Sequence, residues 1–260
     1  MRDLVRVVTA LLRASLLVAM QYRSDFLFDA VTGFVRTAAS VAPLLVVYGQ
    51  VDTVRGWAFD DALLVMSLFL VMQGLIGGLV EPNLGEVVDA IREGTLDLVL
   101  LKPADAQLLS SVRRVDPSAL WDLFAGLGLA VWALSHRSVA VVDLAIAAVM
   151  VVCGLISIYG LWLFAICLSF WFVRVDNLRF LLEAVASAGQ WPVSVFSGWV
   201  RFFLTFVVPV AIITSFPALA VRGLWDGELV LTAMATAALF GFGSRLAWLR
   251  SLASYTSASS

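Results

Sequence analysis

The chain has 260 residues, 62% of them hydrophobic and 14% charged, with a mean hydropathy of +0.98 and a formal net charge of -2. A soluble domain carries about 25% charged and 45–50% apolar residues. This chain therefore lacks the polar surface that would cover a water-soluble globule, and lipid is its solvent. The small net charge carries no signal for nucleic acid, and none is expected as a partner.

Residues 1–22 have helical periodicity: Leu4, Val7, Val8, Leu11 and Val18 fall on one side, Arg2, Arg6, Thr9 and Arg13 on the other. That pattern predicts an amphipathic helix lying in the membrane surface. Arg13 interrupts the apolar run and no A-x-A-like site follows Met20, so a cleavable signal is not expected. Six transmembrane helices are predicted, at about 26–48, 62–80, 120–134, 139–173, 202–219 and 229–249. The fourth exceeds the roughly 20 residues a span needs and must tilt or extend beyond the core. Residues 178–189, with Arg179 and Glu183, read as a weakly amphipathic segment outside the spans, and the fifth span is kinked near Pro209. A cytoplasmic loop occupies 81–117, and the serine-rich 251–260 reads as a flexible tail. With no internal repeat and no linker, 1–250 forms a single all-α integral membrane domain.

The basic residues set the orientation. With the N-terminus in the cytoplasm, the inside segments hold 13 of the 17 basic residues. The outer loops hold only Arg55, Arg137 and Arg222, and Arg36 sits within a span. The positive-inside rule then places both termini in the cytoplasm.

The loop between the second and third spans is the longest polar interruption. Asn83 is a good helix N-cap, Glu86 can complete a capping box, and Gly94 supplies a C-terminal stop. Leu84, Val87, Val88 and Ile91 share one face of this short helix, while Glu86, Asp89, Arg92 and Glu93 take the others. Two readings are open. The ridge either rests on lipid or on the bundle, or it docks in a groove of a soluble partner.

Few other residues stand out. Arg36 lies about 15 Å into the first span, where a charge costs at least about 2.5 kcal/mol. It either joins a transport path or intramembrane ion pair, or snorkels to the cytoplasmic headgroups. Asp122 and Asp143 read as interfacial, and Gly74 and Gly78 form a G-x-x-x-G that permits close helix packing. Trp57, Trp121 and Trp191 fit an aromatic belt, and the lone His136 reads as incidental. Cys153 and Cys167, roughly 21 Å apart on one helix, cannot bridge. No metal spacing and no catalytic constellation emerges. The only lysine, Lys102, stands between Leu101 and Pro103, so no G-x-x-x-x-G-K-[ST] phosphate loop exists.

The stretch Ile91-Arg92-Glu93-Gly94-Thr95-Leu96-Asp97, continued by Leu100-Leu101-Lys102-Pro103, resembles a signature of ABC-2-type permeases of the small six-span kind. Three further places agree in order: Tyr22-Arg23-Ser24-Asp25-Phe26, Gly56-Trp57, and Pro192 to Phe196 leading into Val207-Val208-Pro209-Val210 and Phe216-Pro217-Ala218. The resemblance implies a permease subunit of an ABC exporter in the bacterial cytoplasmic membrane. It implies two cytoplasmic ATP-binding subunits and a second permease as partners, a paralogous one favoured over an identical one. ATP and Mg would be bound by the ATP-binding subunits, with no cofactor in this chain. It also makes Asn83, Leu84, Glu86, Val87, Val88, Ile91, Arg92, Gly94, Leu96 and Asp97 the expected coupling interface, with Ile91 as its anchor. The competing reading is a secondary transporter, or a membrane enzyme or scaffold, outside the ABC class.

Overall fold

A computed structural model describes residues 23–102, 105–111, 114–170 and 176–255, with Arg13 and Leu17 before them. Most of the predicted surface helix over 1–22, and the tail beyond 255, lie outside the described residues. The described chain is helical. Helix α1 covers Arg23–Tyr48 and α2 Phe59–Leu75, which a π-turn, Ile76–Val80, joins to α3, Glu81–Arg92. Short helices α4 (Asp97–Leu100) and α5 (Ala106–Ser111) follow, then α6 (Leu120–Ser135) and α7 (Val141–Cys167). Helix α8 (Asp176–Ala186) continues through two 3-10 turns to Val195. Helices α9 (Gly198–Phe202), α10 (Val210–Ile213), α11 (Ser215–Val221) and α12 (Gly227–Ser254) complete the chain. Among the described residues, five stretches are long and apolar enough to cross a membrane: Phe28–Tyr48, Phe59–Arg92, Pro117–Ser135, Val141–Phe170 and Gly227–Ser254.

Two predicted boundaries are corrected. The second span does not end at Val80; it runs on through the π-turn to Arg92, 34 residues in all. At 1.5 Å per residue this is about 50 Å, well beyond a hydrocarbon core of about 30 Å, so α3 projects past the apolar band. Pro82 explains the π-turn. It lacks the N–H that would meet the Gly78 carbonyl, and its ring crowds that carbonyl. The Gly78 carbonyl instead accepts the Asp116 N–H at 2.9 Å.

The second correction concerns the fifth span, predicted at 202–219. Gly198–Val207 and Val210–Val221 are bent by 71° about the non-helical Val208-Pro209. Ser194, just before this pair, and Arg222, just after it, both touch Trp57. The pair therefore enters and leaves at the Trp57 end of the bundle, as a re-entrant hairpin. Residues 210–218 are all buried while 198–203 are exposed, and an apolar re-entrant hairpin has the same hydropathy as a span. The segment 178–189, read from sequence as lying outside the spans, is instead part of a stretch, 176–195, that runs along the bundle. Its Glu183 borders the same cavity as Glu81 and Asp116, while its Ser194 reaches Trp57.

Glycines set the closest helix contacts, as small residues do where helices share no hydrophobic drive to associate. Between α2 and α6, a Cβ on Gly74 would lie 2.5 Å from the Leu123 nitrogen, and one on Gly126 2.7 Å from the Ser67 carbonyl. Between α7 and its partners, a Cβ on Gly154 would lie 2.5 Å from the Ile213 Cβ, and one on Gly160 2.6 Å from the Phe240 carbonyl. Of the predicted G-x-x-x-G only Gly74 is tight; Gly78 has ordinary contact with Ala119. The tightest pairings thus are α2 with α6, and α7 with α10, α11 and α12, within one continuous core.

Candidate coupling surface and embedded charge clusters

The predicted coupling residues fall on α3 and the turn after it. Asn83 is not an N-cap, because the helix is already running when it arrives. It is 1% exposed; its Nδ2 donates to the Leu79 and Arg114 carbonyls at 2.6 Å, and its Oδ1 accepts the Arg114 N–H at 2.7 Å. Glu86 makes no capping box and pairs with the Arg114 guanidinium at 3.0 Å. Together they tie the returning loop to α3. Leu84, Val87 and Val88 are buried in the main core, and Ile91 packs half-buried against it. The ridge predicted to meet a partner is covered by its own bundle, so Ile91 is not a free anchor.

Beyond α3 the surface changes. Arg92 and Glu93 are exposed, and Gly94, at φ +70°, takes the left-handed conformation that ends the helix. The N–H groups of Thr95 and Leu96 both return to the Ala90 carbonyl, at 2.9 and 3.2 Å. In the next turn Leu96 and Val99 point inward and Asp97 is half-buried. Leu98, at 65% exposure, and Leu101, at 80%, point outward beside the exposed Lys102.

Helix α5 is tied to the second group. Arg245 of α12 donates to both Asp105 oxygens, at 3.2 and 2.5 Å, and to the Gln107 side-chain oxygen at 2.8 Å. The Tyr159 hydroxyl of α7 meets Gln107 Nε2 at 3.2 Å and Ser111 Oγ at 2.7 Å. The Arg245 guanidinium holds the Asp105 carboxyl below its ordinary range, aided by the cap bond from the Leu108 N–H.

Arg36 has a partner within the bundle. Its Nε donates to Asp122 at 3.1 Å, and its other nitrogen lies 2.8 Å from the second carboxylate oxygen. Asp122 is buried, while Arg36 keeps 57% of its side chain accessible. This bidentate pair borders a cavity of about 290 Å³ walled by α1, α2, α3, α6 and α8, with Phe69, Gln73 and Glu183 among its lining residues. Arg36 thus pairs with Asp122, whose carboxylate is buried while the guanidinium stays accessible.

Sequence reasoning missed a third cluster at the Trp57 end. Arg55 and Gly56, at φ 52° and 81°, make a tight turn closed by the paired backbones of Val54 and Trp57. The turn presents Trp57, whose Nε1 donates to Ser194 Oγ at 2.7 Å. Arg222 lies 4.7 Å from the Trp57 ring centre, donates to the Gly56 carbonyl at 2.9 Å, and sits 3.4 Å from Asp61. Arg137 reaches the same carboxylate at 2.9 Å. The available signal was that two of the three basic residues in the sparse outer loops, Arg137 and Arg222, meet a single acid at the start of the second span. The exposed His136 contacts its own turn, at the Trp132 carbonyl and ring and at Ser135 Oγ, and among the described residues no cluster suited to a metal occurs.

The sequence model of the family described as ABC-2 family transporter protein matches residues 34–259, which is most of the chain and holds every feature above. No curated protein and no solved structure matches.

Proposed function

Because this chain belongs to the ABC-2 transporter family, we propose that it is the membrane-spanning permease subunit of an ATP-driven exporter. The observation that carries this reading, beside the family, is the missing phosphate loop: the single lysine, Lys102, stands between Leu101 and Pro103. A transporter of this class that cannot hold ATP draws its energy from another polypeptide. The working unit is two permease chains with two ATP-binding subunits, which bind ATP and Mg. The second permease is a paralogue rather than an identical copy. ATP binding closes the ATPase pair, and the bundle alternates between inward-open and outward-open states.

The address is the bacterial cytoplasmic membrane, with the Trp57 end outside and both termini inside. The re-entrant hairpin leaves this orientation in place. With the segment 176–195 as the crossing before it, the number of crossings stays even. Arg201 moves to the outer side, and the basic balance goes from 13 inside and 3 outside to 12 and 4, still clearly positive-inside. Purification of the full chain from its native membrane tests the reading. An ATP-binding subunit should co-purify, and native mass spectrometry should show two of them with two permeases. A chain that transports with no ATPase bound would overturn it.

A further inference from the structure

The cavity beside Arg36 is built around an ion pair with unequal partners. Asp122 is 7% exposed, whereas the Arg36 side chain keeps 57% of its surface accessible. Backbone approach sets the pairing. Helix α1 packs tightly on α6 at Gly33, where a Cβ would lie 2.7 Å from the Trp121 Cβ. Arg36, about one turn further along α1, then meets Asp122, the residue after Trp121. The fixed member of the pair is the acid, and the movable one is the base. We propose that this cavity binds an amphipathic organic cation, an amine or guanidinium on an apolar body, which takes the place of Arg36 on Asp122. This deepens the permease reading above and rests on it, with the cation as cargo.

Three features select such a ligand. The first is charge. Among the described residues, the lining holds four carboxylates, Glu81, Asp116, Asp122 and Glu183, against one base, Arg36. A lining with this balance favours a positive ligand and opposes a negative one. The second is polarity along the cavity. Its wall on α2 runs from the buried Phe69 and Leu70 to Glu81, about 18 Å away, near the exposed Asp116. Asp122 lies between these ends, since its neighbours Leu123 and Ala119 meet Gly74 and Gly77. A charged head on Asp122 therefore places an apolar body against Phe69 and Leu70. The volume, about 290 Å³, stands at the lower end for small-molecule pockets.

The third feature is exchange. Removing Arg36 with nothing in return would strand a buried carboxylate, which is costly. A cation that brings its own N–H donors replaces one charge-assisted pair by another. The released guanidinium, already half accessible, turns on its flexible stem toward headgroups or water. A neutral amphipath leaves Asp122 with Arg36, and an anion meets the carboxylates.

The test measures equilibrium binding to the full complex, permeases with ATP-binding subunits, in nanodiscs of zwitterionic lipid, with empty nanodiscs as the blank. The probes are octylguanidinium, octanol and octanoate, which share a chain and differ in the head. Octylguanidinium should bind at least about tenfold tighter than either other probe. Asp122→Asn should weaken it by at least about tenfold, read beside the melting temperature of the unliganded variant. Arg36→Gln removes the resident competitor and should tighten octylguanidinium by about threefold or more, a gain that a misfolded chain does not produce. Arg250→Gln should bind as wild type. In inverted vesicles, ATP should drive octylguanidinium uptake by wild type and not by Asp122→Asn. Octanol or octanoate binding as tightly as octylguanidinium, or wild-type affinity in Asp122→Asn, overturns the site. Equal or weaker binding in Arg36→Gln overturns the exchange. Specific binding without ATP-driven uptake overturns the cargo role. If no ATP-binding subunit accompanies the chain, the permease reading fails, while binding to the chain by itself still decides the site.

Discussion

The two ends of the bundle use the same chemistry under different conditions. At the Trp57 end, Asp61 keeps 11% of its side chain accessible and its partners Arg137 and Arg222 keep 21% and 20%. At the α3 end, Asp105 and Arg245 keep 42% and 39%. Charges sheltered from water interact strongly and are costly to leave unpaired, whereas exposed pairs are screened and close to neutral in stability. The Trp57-end cluster also has an indole face and a tight turn to fix it; the α3-end one has a tyrosine hydroxyl and a glutamine. The difference in exposure makes the Trp57 end the harder of the two to part.

The largest effect should come from breaking the sheltered end. Asp61→Ala leaves two arginines facing each other without their acid and should cost about 3 kcal/mol or more, read as a lower melting temperature and poor yield of the purified chain. Arg137→Ala should cost less, because Arg222 still holds Asp61. Gly126→Val tests the framework between the ends. Its added carbons meet the Ser67 carbonyl and Val71 nitrogen, both 2.7 Å from a Cβ, and overpacking of this kind costs about 1–3 kcal/mol. In the middle of the bundle, Arg36→Gln leaves the buried Asp122 without its guanidinium. It should lower the melting temperature more than Arg250→Gln, an exposed arginine of α12, does.

The smallest effect should be at the α3 end, where Arg245→Gln should cost under about 1 kcal/mol in stability. Its sign with pH is defined. The Asp105 carboxyl sits below its ordinary value of 3.8 when folded. The pair therefore stabilises the folded chain above that value and loses its contribution as pH falls through the lower, folded one. The melting-temperature gap between wild type and Arg245→Gln should be constant at neutral pH and close below about pH 4. A gap at the α3 end as large as that of Asp61→Ala would refute the contrast between the ends.

Much of the molecule was legible as chain pattern. Its class, the helices of the first, third, fourth and sixth predicted spans and the Gly94 stop all follow from hydropathy and local backbone preference. The errors share one cause. The span at 202–219 was read from apolar composition, which reports removal from water and not whether lipid or protein does the removing. Asn83 was read as a cap from its type and its spacing to Glu86. Whether a helix starts at a residue depends on what precedes it, and here Pro82 bends the span without ending it. The ridge of Leu84, Val87, Val88 and Ile91 was correctly read as a face, but its partner was not.

The sequence by itself determined which surfaces must leave water and which side the basic residues favour, because those are sums over single residues. Only the tertiary structure decided which buried surface meets which. The pairing of Arg36 with Asp122, 86 positions apart, and the meeting of Asp61 with Arg137 and Arg222 depend on how helices from distant parts of the chain stack. That stacking is set by close approach at Gly74, Gly126, Gly154 and Gly160, a property of matched pairs that no single segment carries.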